Sequence, residues 1–265
     1  MTIFLLLARY CWIGCCAVAL VQQTRLLFGQ SLELGWVEGA VFSGAVFAYN
    51  VIRTGPVSRR LAAISGLAAV LCFLNMPAAA QWTALVPAGI WALYYGAHTP
   101  GNTGLRSMLM IKPLAIALAW SAVTVLLPLP IELWGTAVVL AIGRASFIAA
   151  LALAYDLCDR EDDRRYGFHT VATRFGKHRT LQAIDAALAV SAACVALNLV
   201  FGHYTVAAAL ALLASLGACA WAVRKVISGV PLLSAQKMLI DGLMVAQFAL
   251  VFIETSLVPH AAIVA

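Results

Sequence analysis

Charged residues are scarce in this 265-residue chain. Asp, Glu, Lys and Arg make up only 11% of it, whereas 63% is hydrophobic, and the mean hydropathy is +0.95. A soluble domain carries about 25% charged residues, so a soluble fold of this length could not cover its surface with so few. The scarcity excludes a soluble globular enzyme, a nucleic-acid-binding module and a disordered chain.

The seven cysteines lack the spacing of a disulfide framework or a zinc site. None forms a C-x-x-C pair, and six lie in apolar runs, where a free thiol behaves as a small hydrophobic group. A basic segment and a cleavage motif are also missing around the first apolar run, which starts at Ile3. We interpret that run as a first membrane span and not as a removed signal peptide.

Long apolar runs occupy most of the chain. A membrane-crossing helix needs about 20 mostly apolar residues. Nine runs approach this length, at residues 3–22, 35–53, 60–79, 82–97, 111–129, 134–156, 180–201, 204–224 and 238–258. Backbone polar groups in lipid must be satisfied within a helix, and no linker divides the runs. The sequence therefore predicts an all-α polytopic membrane protein with about nine transmembrane helices, forming a single domain over residues 1–265.

The basic residues predict an orientation. Of 17 Lys and Arg residues, fourteen lie in or beside the loops after the even-numbered runs, and one, Arg25, lies in the other loops. Loops rich in Lys and Arg stay in the cytoplasm. We therefore expect a protein of a bacterial inner membrane, with its N-terminus and even-numbered loops in the cytoplasm and its C-terminus outside.

The longest polar stretch, residues 155–170, begins where the sixth run ends. Its aspartates Asp156, Asp159 and Asp163 are spaced i, i+3 and i+7, which puts three carboxylates on one face of a continued helix. Oxygen ligands of this kind suit Mg²⁺, which completes its coordination with water and phosphate. A solvated charged loop, with the neighbouring arginines as ion-pair partners, is the alternative that spacing alone leaves open.

The segment DLCDREDDRRYGFHTVATRFGK resembles the second aspartate-rich motif of the UbiA-type intramembrane prenyltransferases. That motif has three aspartates, then a basic residue, a glycine, a threonine and a closing glycine. The matching positions here are Asp156, Asp159, Asp163, Arg164, Gly167, Thr170 and Gly176. The number of apolar runs and the cytoplasmic placement of the segment fit the same family, whose fold is a helical bundle around a central cavity.

The resemblance implies a membrane-embedded transferase that moves a prenyl group from a polyprenyl diphosphate to a lipid-soluble acceptor. In such a protein Asp156, Asp159 and Asp163 would be the catalytic residues and would hold Mg²⁺ on the diphosphate. Lys112 and Arg164 would bind the same diphosphate. For Lys112, an anchor at the membrane surface is an equal alternative.

The first aspartate-rich motif of the family, N-D-x-x-D-x-x-x-D, is degenerate here. Asn50 is present, but the three acidic positions are Val51, Thr54 and Ser58, which are poor or impossible ligands for a hard cation. Asn50 and Arg53 are predicted to bind substrate, with the Arg53 guanidinium holding phosphate in place of a metal. Cytoplasmic anchoring is the alternative for Arg53. Because the three acidic residues of the first motif are absent, a second hypothesis is a non-catalytic UbiA-like lipid-binding or scaffold protein.

Two further ions lie in apolar runs. Arg144 precedes Asp156 by 12 residues, or about 18 Å along a straight helix. Intramembrane charges are costly and are usually paired or functional. We predict that Arg144 pairs with Glu132 or Glu254. The pattern gives no role for Asp241.

Overall fold

The computed structural model describes residues 3–52, 55–96, 111–165, 167–228 and 234–257, and within these ranges it contains helices and no strand. The ten α-helices are α1 (Ile3–Leu27), α2 (Trp36–Val51), α3 (Pro56–Asn75), α4 (Ala78–Gly96), α5 (Ile111–Ser121), α6 (Trp134–Cys158), α7 (Arg160–Arg165), α8 (Val171–Val200), α9 (Val206–Ser228) and α10 (Ser234–Leu257). A π-helical turn, Ala122–Leu126, continues α5, and a 3₁₀ turn, Ile131–Leu133, leads into α6.

The predicted all-α membrane fold is confirmed. Each of the nine apolar runs corresponds to a helix, and α7 lies in the polar stretch between two of them. Five segments are both long and apolar enough to cross a membrane: Pro56–Asn75, Ile131–Cys158, Val171–Val200, Val206–Lys225 and Met238–Leu257. The number of spans, nine, stays a prediction.

Helix α6 is the central element of the bundle. In its apolar segment 61% of residues are buried, compared with 17% in α3. It packs against α5 on one side and α8 on the other. Phe147 and Leu151 join Leu20 of α1 and Ile184 of α8 in the main core cluster. A helix that is apolar on all sides belongs in the interior. The polar side chains of α6 are therefore held inside the bundle.

The chain between α6 and α8 is shaped by the trailing residues of the aspartate motif. Gly167 and Gly176 have φ values of 71° and 79°, in the left-handed region that favours glycine. Gly176 kinks α8 near its start. Thr170 is the N-cap of α8, where its hydroxyl accepts the Thr173 N–H at 3.2 Å. These residues therefore determine how the aspartate segment turns back into the bundle.

The segment of the degenerate first motif is split between two helices. α2 ends at Val51, and α3 begins at Pro56. Gly55 precedes α3 with a φ of 136°, a conformation that favours glycine, and proline suits the first position of a helix because it needs no N–H partner there. Asn50 and Ser58 therefore lie on two different helices, α2 and α3, with Gly55 and Pro56 at the start of the second.

Candidate functional site

The centre of the site is an ion pair between α5 and α6. Asp156 lies in the last turn of α6 and is 1% exposed. Lys112 lies in the first turn of α5, and its Nζ donates to Asp156 Oδ1 at 2.5 Å. The Lys112 side chain is 21% exposed, so its ammonium is partly accessible while the Asp156 carboxylate is buried. We call this part of the bundle the aspartate end.

The other two aspartates of the motif lie between α6 and α8. Asp159 ends α6, and its carbonyl accepts the backbone N–H of Asp163 at 2.8 Å, so helical hydrogen bonding continues from α6 into α7. The Asp163 carboxylate interacts electrostatically with the Lys112 ammonium, and that of Asp159 with Asp156. Asp163 therefore lies within electrostatic range of Lys112, and Asp159 within that of Asp156.

Metal coordination is not preformed in the described part of the chain. No three His, Cys, Asp or Glu side chains there lie close enough together to hold an ion. Arg164, predicted to bind substrate, lies on the surface of α7, 48% exposed and 3.8 Å from Glu161. The metal-ligand roles of Asp156, Asp159 and Asp163 and the substrate role of Arg164 stay predictions.

Asn50 is completely buried at the end of α2. Its Nδ2 donates to the carbonyls of Val46 at 2.8 Å and Tyr10 at 3.2 Å, which joins α2 to α1. Its Oδ1 is buried and has no hydrogen-bond partner among the described residues. Ser58, in the first turn of α3, is also buried. Arg53, predicted to hold phosphate, lies outside the described residues.

Three polar contacts at this end were not predicted. The hydroxyl of Tyr155 donates to the carboxylate of Asp241, which joins α6 to α10. Tyr155 also interacts with Tyr49 of α2, and Tyr94 of α4 interacts with Lys112. Asp241 was visible in the sequence as an ion in an apolar run, but nothing there indicated its partner.

The predicted ion pair of Arg144 is wrong. The guanidinium donates from Nη2 to Gln23 Oε1 at 2.5 Å and from Nη1 to the Leu20 carbonyl at 3.4 Å. Among the described residues no carboxylate lies within ion-pair distance of it. Glu254 instead accepts the hydroxyl hydrogen of Thr205 at 3.0 Å. The carboxylates proposed from sequence therefore leave this cation uncompensated.

Five helices are long and apolar enough to cross a membrane, and this defines an integral membrane protein. Residues 48–245 match the model of the UbiA prenyltransferase family, and the chain belongs to that family. A solved structure of a digeranylgeranylglyceryl phosphate synthase has the same fold. It is 13% identical in sequence and superimposes with a TM-score of 0.55 over 94% of this chain and 96% of that one. No curated protein matches this sequence.

Proposed function

We propose that this protein transfers a prenyl group from a polyprenyl diphosphate to a lipid-soluble acceptor at the aspartate end. One observation carries the proposal: Lys112 and Asp156 form a buried ion pair beside Asp159 and Asp163 in a chain of the UbiA prenyltransferase family. An ammonium and a cluster of carboxylates at one end of an apolar bundle suit a substrate with a charged head and a hydrocarbon tail.

The reaction breaks the bond between the first prenyl carbon and the bridging oxygen, whose electron pair leaves with the diphosphate. The acceptor forms a bond to that carbon and loses a proton. Lys112 can donate to the departing oxyanion because its head is partly exposed while Asp156 holds it in place. The apolar side chains of α5 and α6 exclude water, which would otherwise capture the carbocation.

The carboxylates at this end fit Mg²⁺ by their chemistry, because they supply only hard oxygen ligands. Lys112 already occupies Oδ1 of Asp156, so Asp159 and Asp163, both half-buried, would contribute most of the ligand oxygens. Mg²⁺ bound there would stabilise negative charge on the leaving diphosphate. Asn50, Arg53 and Arg164 are proposed to contact the same substrate, and the aspartate end is proposed to face the cytoplasm.

The test uses purified protein in lipid nanodiscs with labelled geranyl, farnesyl and geranylgeranyl diphosphates. Binding and diphosphate release are measured separately, with Mg²⁺ and with a chelator, for the wild type and Asp163→Asn. We expect release that depends on Mg²⁺ and falls by about 100-fold or more in the variant, as for other electrostatic catalytic groups. Asp185→Asn, a substitution of an exposed aspartate on α8, is the matched control and should leave release unchanged.

Binding and catalysis give different outcomes in this design. Saturable binding of a prenyl diphosphate without release, in the presence of extracted membrane lipids as acceptors, would contradict a transferase and support the lipid-binding alternative. Equal release by the wild type and Asp163→Asn would place the chemistry elsewhere in the molecule.

A further inference from the structure

A second polar region lies inside the bundle, away from the aspartate end. It is a small, partly open cavity lined by residues of α6, α8, α9 and α10 and of the loop after α8. Its polar lining consists of Arg144, Ser191, Asn198, Tyr204 and Gln247, and every one of these residues is buried. The remaining lining is largely apolar, with Phe147, Leu140 and Leu212 among its members.

Arg144 brings a positive charge into this cavity. It is 3% exposed, and its two hydrogen bonds go to neutral oxygens of α1, those of Gln23 and Leu20. A guanidinium has five N–H groups, so three remain without a partner among the described residues. A buried charge without a counter-charge costs several kcal/mol, and this one lies in an apolar helix of a membrane protein.

The other polar groups around Arg144 are neutral and can donate. Ser191 and Tyr204 carry hydroxyls whose hydrogens rotate toward an acceptor. Asn198 and Gln247 each use one amide hydrogen, toward the Cys194 carbonyl and the Ser215 hydroxyl, and each retains a second. The cavity therefore combines one uncompensated cation with several donors, and no described residue of its lining is a carboxylate.

The size of the cavity restricts its occupant. Its volume is about 20 Å³, which is room for one particle of the size of water. A small spherical anion matches that volume better than a phosphate or a lipid carboxylate does. We propose that this cavity binds a single monovalent anion of halide size, such as chloride, which neutralises Arg144 within the membrane.

The test measures chloride directly. Binding of radiolabelled chloride to the purified protein in detergent is followed for the wild type, Arg144→Gln, Tyr204→Phe and Arg224→Gln. We expect one saturable site per chain in the wild type. Arg144→Gln should abolish it, and Tyr204→Phe, which removes one hydroxyl, should weaken it by about 10-fold. Arg224, an exposed arginine paired with Asp185, is the matched control and its variant should bind like the wild type.

Thermal unfolding in chloride and in gluconate at equal ionic strength gives an independent readout. The midpoint of the wild type should rise by roughly 3–5 °C per tenfold increase in free chloride above its dissociation constant, and gluconate should have no such effect. If Arg144→Gln does not fold, Tyr204→Phe decides the question. Equal midpoints in the two salts and no saturable chloride binding would overturn the proposal and leave water as the occupant.

Discussion

Helix α6 carries two buried charges of opposite sign, and their partners differ. Asp156 has a cation from the neighbouring helix, Lys112, at 2.5 Å. Among the described residues, Arg144, 12 positions earlier, contacts only an amide oxygen and a backbone carbonyl. Asp156 is thus neutralised by a neighbouring side chain, whereas the described residues that line the cavity at Arg144 include no carboxylate. This difference is the reason why we propose an external counter-ion for Arg144 and none for Asp156.

The largest effect is expected from removing the cation at the aspartate end. Lys112→Met would leave Asp156 buried and without its ion-pair partner, which typically costs about 3–5 kcal/mol. The free energy of unfolding, measured in detergent near neutral pH, should fall by about that amount. The partial exposure of Lys112 favours the lower end of this range, because solvent screens a partly exposed charge.

The double variant with Asp156→Asn tests whether the charge is the cause. Once the carboxylate is also removed, most of the lost stability should return, because no charge is then left buried. A single variant that loses less than about 1 kcal/mol would show that the pair contributes little. The comparison between Asp156 and Arg144 would then fail, since both charges would be equally tolerated without a partner.

A smaller effect is expected at the contact that forms the Arg144 cavity. A Cβ at Gly143 would lie 2.9 Å from the Cβ of Cys194, so Gly143→Ala must push α8 away from α6. Overpacking of this kind costs about 1–3 kcal/mol. The same displacement would move Ser191 and Asn198 relative to Arg144, so anion binding should weaken together with stability.

Gly217→Ala on α9 is the matched control for this substitution. A Cβ there meets nothing within 4 Å, and alanine is the better helix former. It should therefore be neutral or slightly stabilising. A loss of stability equal to that of Gly143→Ala would mean that close packing of α6 and α8 is not the reason for the glycine.

The helices could be predicted from the sequence because each follows from an uninterrupted apolar run. The relative rotation of the helices could not. The runs are apolar on nearly every side, so no polar face indicates which neighbour a given side chain contacts. For this reason the pairing of Arg144 with Glu132 or Glu254 was wrong, and the contact between Tyr155 and Asp241 was missed.

The aspartate end was partly predictable for a different reason. Spacing placed Asp156, Asp159 and Asp163 on one side of the chain, and the family resemblance indicated Lys112. Neither indicated that Lys112 would contact Asp156 directly, because that depends on how α5 packs against α6. The glycines and the threonine of the motif now have a structural explanation as a turn, a helix cap and a kink, which spacing alone does not distinguish from contacts with substrate.

The smallest effect is expected at an exposed ion pair, which isolates burial as the variable. Asp185 of α8 accepts from Nη2 of Arg224 of α9 at 2.7 and 2.8 Å, a distance similar to that between Lys112 and Asp156. The two side chains are 44% and 52% exposed. Water therefore solvates each charge when the other is removed, and exposed pairs contribute about 0–1 kcal/mol.

Asp185→Asn should reduce the free energy of unfolding by less than about 1 kcal/mol, and the difference from the wild type should shrink further in high salt. A loss close to that of Lys112→Met would mean that charge separation itself, and not desolvation, determines what these pairs contribute. The distinction between Asp156, which is neutralised within the chain, and Arg144, which we propose is neutralised by an anion, would then lose its physical basis.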